Sequence, residues 1–176
     1  MAQQNAGKVF ESQWKKSVPE GMMYFRIPDP PQSFQQTARF SLKPPFDCFM
    51  FYKGTLFCLE LKTTKSKSFS VEMKKDDTGM IHYHQIQNLR EYSKFDNVVS
   101  GLVLNYRVED KGAEITYFIS IENFDKMMSK LTKKSFNAID LINNGAVKIA
   151  TEKKRTLFNY GVKEFIETMI QSNTTK

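Results

Sequence analysis

The chain has no apolar run approaching the roughly 20 residues of a membrane-spanning helix, so no span is expected in it. Met1 to Lys8 are polar and lack the apolar core of a signal peptide, which makes a cytoplasmic location the expectation. Neither a lipidation signal nor a basic amphipathic helix is present to suggest a membrane surface. Cysteine occurs only twice, at Cys48 and Cys58, and histidine only twice, at His82 and His84. The H-x-H pair has no third nitrogen or thiolate ligand at a suitable spacing, which weighs against a zinc site. No helix-turn-helix, zinc-finger or RNA-binding signature occurs. Internal repeats, low-complexity blocks and dividing linkers are also missing.

What remains is a globular composition: 176 residues, 40% hydrophobic and 13% aromatic, enough for one domain over residues 1–176 with a sizeable core. The formal charge of +7 favours a polyanionic partner, with nucleic acid ahead of membrane.

The densest information lies between Pro45 and Lys62, which reads as an aromatic-rich hairpin turning at Lys53-Gly54, with Gly54 supplying a positive φ. Tyr52 then faces Thr55, and pairing outward places Asp47 opposite Glu60. Opposed side chains on paired strands hold their Cβ atoms roughly 4.5 to 5.5 Å apart, where like charges destabilise. A cation between the two acids, most simply a divalent metal, removes the conflict. Glu60 and Lys62 share a strand face, while Leu59 and Leu61 point the other way. Two acids and a lysine so arranged suit phosphodiester cleavage: Asp47 and Glu60 as oxygen ligands for Mg²⁺ or Mn²⁺, Lys62 beside the attacked phosphate. A surface ion cluster is the bland alternative. In this register Cys48 faces Leu59, the two sulfurs point to opposite faces, and no disulfide is expected.

Around the hairpin the pattern is that of a layered α/β sheet. A helix is expected over 7–18, with Phe10, Trp14 and Val18 on one stripe and Glu11 beside it, and a strand over 22–27. Prolines 28, 30, 31, 44 and 45 bracket an excursion at 28–43. The hairpin arms, 46–52 and 55–63, are apolar on both faces, as for strands covered on both sides. The stretch from Thr63 to Gly79 reads as a basic loop, too polar for a core element. Beyond it come a helix over 82–94, strands over 98–106 and 114–119, a helix capped by Ser120, a short helix at 138–142, a strand at 147–150 and a helix at 162–170.

Several other residues invite a role. Glu11 could reach the acid pair from the first helix, or pair with Lys15 at i+4. Gln85 is placed to order a metal-bound water, and His82 and His84 to start a helix and contact phosphate or solvent. Lys65 and Lys67, among hydroxyl residues, suit DNA phosphates or form a solvated loop. Arg26, Arg39 and Lys43 flank the excursion, whose Phe34 and Phe40 could stack on bases or pack on the body.

Taken together, Asp47, Tyr52-Lys53-Gly54, Glu60 and Lys62, followed by His82, His84, Gln85 and Ile86 in H-x-H-Q-I, resemble the RecU family of Holliday-junction resolvases within the PD-(D/E)XK nuclease superfamily, as a phage-type or compact member. The passages ISIENFDKMM and KKSFNAIDLINNG are similar to the family's C-terminal pattern, so the resemblance spans nearly the whole chain. It implies a restriction-endonuclease-like mixed β-sheet flanked by helices, and a homodimer that resolves four-way DNA with Mg²⁺ by paired nicks. Asp47 and Glu60 match metal ligands, Lys62 the catalytic lysine, Gln85 a glutamine beside the site and Glu11 the first-helix acid. The excursion at 28–43 occupies the place of the family's stalk, which implies a projection that enters the centre of the junction. The chain departs from the family in carrying Pro45 where a hydroxyl residue usually stands, and in the shortness of the excursion.

Overall fold

A computed structural model describes residues 5–28, 43–75, 77–108 and 112–174. Phe34, Phe40 and Arg39, with most of the excursion at 28–43, lie outside the described residues.

Helix α1 (Ala6–Ser17) opens where the Asn5 side chain accepts the Gly7 amide at 3.0 Å, and its stripe buries Phe10, Gln13 and Trp14. Strand β1 (Met23–Arg26) lies antiparallel to β2 (Cys48–Tyr52), which turns at Lys53-Gly54 into β3 (Thr55–Thr64). Both turn residues have positive φ, 47° and 78°, the requirement of a type I′ turn whose twist suits a hairpin. The ladder pairs Tyr52 with Thr55 and runs outward to Cys48 and Leu59, in the register expected from the sequence.

Strand β4 (Ser68–Ser70) and helix α2 (Tyr83–Tyr92) precede β5 (Val98–Val108), which lies parallel to β3, the crossover that such pairing needs. Strand β6 (Ala113–Ser120) returns antiparallel, and Ser120 caps α3 (Ile121–Lys130) by accepting from the Asn123 amide at 3.3 Å. Then follow β7 (Ser135–Asn137), α4 (Ala138–Asn143), β8 (Val147–Ile149), the hairpin β9 (Thr151–Lys154) and β10 (Leu157–Tyr160), and α5 (Val162–Thr174). The order β1-β2-β3-β5-β6-β8 makes a six-stranded mixed sheet flanked by helices, the restriction-endonuclease-like arrangement. Among the described residues no helix is long and apolar enough to cross a membrane.

Two cores sandwich the sheet. Cys58, Leu102, Leu104 and Tyr106 pack under α2 and α3, whereas Phe57, Leu59, Leu61 and Val103 pack with Phe10 and Trp14 of α1 and Phe165 of α5. Cys48 belongs to the second core and Cys58 to the first, and both are free thiols.

One expectation is corrected. The stretch read as a basic loop contains β4, paired with β7 through Phe69 and Phe136, and both Phe69 and Val71 are fully buried. Its Ser-Phe-Ser-Val alternation is a strand of period two, too short to show against the surrounding lysines. The β9–β10 hairpin was equally unannounced, because Glu152, Lys153 and Lys154 give it a polar composition.

Candidate active site

β3 runs through the middle of the sheet, so its even-numbered side chains meet α2, and Glu60 is driven into a fully buried position. Lys62, two residues on, reaches back to it, with Nζ 2.8 Å from Glu60 Oε1. The same oxygen accepts from Gln85 Nε2 at 2.6 Å. Gln85 is doubly committed, since its Oε1 accepts the His82 amide at 3.0 Å and so closes the first turn of α2. The glutamine that a sequence pattern offers for ordering water thus holds a carboxylate directly.

Asp47 stands one residue beyond the β2–β3 ladder. Its amide donates to Leu59 O at 3.2 Å, and its Oδ2 accepts the Leu61 amide at 2.7 Å, so the side chain takes over where strand pairing stops. This turns its carboxyl toward Glu60, and each acid bears on the other's protonation. Burial first, and then the Asp47 charge, push Glu60 up to about 8 despite Lys62. Burial also raises Asp47, against the Leu61 amide and Lys62, which pull it down.

Glu60 Oε2 is buried and finds no hydrogen-bond partner among the described residues. Trp14 Nε1, Tyr106 OH and Arg107 Nε are similarly placed, but only Glu60 Oε2 belongs to an acid with a second acid beside it. An acceptor left without a donor in the interior is costly unless a proton or a cation meets it. The donor set therefore fits a hard divalent cation, for which oxygen ligands are the preferred chemistry. The described residues hold no group of three or more His, Cys, Asp or Glu side chains suited to a metal.

Glu11 approaches Asp47 and Glu60 from α1, close enough for its charge to act on Asp47. Its partner is Arg26 on β1, with Nε to Oε2 at 2.7 Å, and not the Lys15 that helix spacing suggested. Arg26 is thus committed to Glu11 and to Ile27 O. Lys43 is exposed and near enough to His84 to help lower its pKa, behind the larger effect of burial. Lys65 and Lys67 are exposed beyond the end of β3.

Two groups of residues had no signal in the sequence. Glu72 accepts from His82 Nδ1 at 2.7 Å and from the Tyr83 amide at 3.0 Å. On the opposite sheet face Thr63 donates to Asn105 at 2.7 Å, Asn105 donates to Glu114 at 2.8 Å, and Tyr160 OH donates to the same Glu114 oxygen at 2.5 Å. Both groups join residues distant in the chain, which local patterning cannot reveal.

Fold and site together define a restriction-endonuclease-like α/β protein with a buried glutamate, a half-buried aspartate beside it and a lysine at the centre of its sheet. No family model matches the chain. It is 30% identical over 188 aligned positions to the SPbeta prophage-derived uncharacterized protein YotM of Bacillus subtilis (strain 168), an alignment that takes in 100% of this chain and 92% of that protein. The chain belongs to the YotM family.

Proposed function

We propose that the protein is a metal-dependent endonuclease acting on branched DNA, a homodimer that resolves four-way junctions by paired nicks. The observation that carries the reading is Glu60 Oε2: fully buried, without a donor, beside Asp47 and on the carboxyl that Lys62 reaches at 2.8 Å. A binding protein has no physical need to set two acids side by side at the end of a hairpin with one of them buried.

In this reading Asp47 and Glu60 hold Mg²⁺ or Mn²⁺, which when bound supplies Lewis acidity toward the scissile phosphate and lowers the pKa of a bound water. The protein's own groups do the rest. Gln85 keeps the Glu60 carboxyl fixed, and the Leu61 amide does the same for Asp47. Lys62 keeps an ammonium beside the reacting phosphate, offsetting the charge that develops on its oxygens. Glu11, held by Arg26, adds its negative charge to the field at Asp47. Selectivity for four-way DNA rests on the RecU-like motif, and the prophage origin of YotM agrees with a phage-type member. A twofold dimer presents two equivalent sites to the two opposed strands of a junction.

The test is incubation with Mg²⁺ or Mn²⁺ and matched four-way, flap and linear duplex DNA. Symmetric paired nicks in the four-way substrate are expected. Equal cutting of all three would leave a nuclease without junction selectivity, and cutting of none would defeat the reading.

A further inference from the structure

The segment from Ser70 to His82 is built against the site rather than hung from it. Val71 and Ile81 are both fully buried and bridge in parallel, and the Glu72 amide donates to Ile81 O at 2.9 Å. Gly79 makes the approach possible, because a Cβ there would stand 2.7 Å from Glu72 N and Val71 C. This backbone clasp delivers the Glu72 carboxylate to the start of α2, where it takes His82 Nδ1 through one oxygen and the Tyr83 amide through the other. His82 then donates its own amide to Gln85 Oε1, and Gln85 Nε2 donates to Glu60. An unbroken line of hydrogen bonds joins Glu72 to the buried acid.

We infer that Glu72 and His82 are positioning residues for the nuclease reaction proposed above, aiming Gln85 at Glu60. The reasoning is geometric. A glutamine amide free to rotate could offer Glu60 either its oxygen or its nitrogen, and the oxygen would repel the carboxylate. The His82 amide captures the oxygen, so the nitrogen is left for Glu60. Glu72 fixes His82 and Tyr83, and with them the first turn from which Gln85 projects. The inference rests on reading Glu60 as part of the reacting site, but its structural half stands apart from activity.

The experiment uses the whole chain. The side-chain amide of Gln85 is followed by ¹⁵N NMR without metal, identified by its loss in Gln85→Leu, alongside steady-state cleavage of four-way DNA with Mg²⁺. In Glu72→Ala the Gln85 signal is expected to move to the position of a solvent-exposed amide, and kcat to fall roughly 10- to 100-fold with KM for DNA unchanged. His82→Asn, whose amide can stand in for Nδ1 as a donor to Glu72, is expected to keep the signal and most of the rate. Should Glu72→Ala not fold, His82→Ala is read in the same way. An unmoved Gln85 signal in the folded variant, or a rise in KM at constant kcat, would overturn the inference. If the wild type cuts no DNA while the Gln85 signal moves as expected, the positioning line stands and the nuclease reading falls.

Discussion

The sheet carries two carboxylates in different settings, Glu60 fully buried and Glu114 half-buried. Glu114 on β6 lies in a network in which Tyr160 and Asn105 both donate to one of its oxygens, Asn105 also donates to Thr116 and receives from Thr63, and Gln13 lies within reach of the Tyr160 hydroxyl. The Tyr160 phenol is held well above its usual range by burial and by that carboxylate. Glu60 on β3 has donors to one oxygen and none to the other, and it faces a second acid. The Glu114 network ties elements together, here α1, β3, β5, β6 and β10. A buried half-bonded acid is retained at a cost to stability, and function is the reason a fold keeps one.

The sharpest way to break this contrast is to remove each acid and measure cleavage. Asp47→Ala, Glu60→Ala and Lys62→Ala should each lower the rate on four-way DNA by roughly 10² to 10³-fold or more while the protein stays folded and binds DNA. Glu114→Gln should leave the rate within a few-fold. Full activity in Asp47→Ala would end the site assignment, and loss of activity in a folded Glu114→Gln would erase the distinction between the two networks.

Stability should separate them in a second way, through pH. Glu60 has an unfolded value of 4.5 and a folded value of about 8, so between these the native state holds a proton that the unfolded chain has released. Its contribution to stability is fully present below about pH 4.5 and is lost as the pH rises through about 8. Asp47, also raised, acts in the same direction. In metal-free protein, Glu60→Gln should therefore match the wild type near pH 5 and melt several degrees higher near pH 8, taking about 2 to 4 °C per kcal/mol for a chain of this size. Tyr160→Phe should instead cost about 1 kcal/mol near pH 5 and near pH 8 alike, the net worth of one hydrogen bond. A pH-independent gap for Glu60→Gln would place that carboxyl in a wetter setting than the structure gives it.

How much of this was legible in the sequence follows from the range of the interactions. The hairpin register was, because a two-residue turn fixes every pair beyond it and Lys53-Gly54 marks the turn; so was the approach of Asp47 to Glu60, although Asp47 reaches Leu61 by leaving the ladder. That helices cover the sheet on both faces was legible in the doubly apolar arms of the hairpin. Glu72 was not, since its value depends on Gly79 letting two segments touch, and nothing in VEMKKDDTG marks a carboxylate as buried or bonded. Glu114 was hidden for the same reason: its donors come from β5 and β10, 9 and 46 residues away.

A third measurement asks whether the orphan oxygen takes a cation. Thermal melts at pH 7.5 with increasing Mg²⁺ or Mn²⁺ should raise the wild-type Tm, by about 2.7 kcal/mol of added stability at a hundred times the dissociation constant. Asp47→Ala and Glu60→Gln should gain much less, and Glu114→Gln as much as the wild type. Equal gains in all four proteins would mean that the ion binds elsewhere.

The smallest effect tests the charge outside both networks. Lys65 and Lys67 are exposed just past the end of β3 that carries Lys62, on the stretch that leads to β4. If they meet DNA, they meet its backbone, since phosphate contacts position the duplex without reading bases. Each neutralised phosphate releases condensed counterions, so the double substitution to Ala should lower the slope of log affinity against log salt by roughly 1 to 2 units. Affinity for four-way and linear DNA should fall by the same factor, and the cleavage rate of bound junction should not change, because neither lysine is among the groups that hold Glu60 or Asp47. Titration by gel shift at several salt concentrations measures the slope. An unaltered slope would assign the two lysines to solvent and move the search for the DNA track to the rim around Lys43 and His84.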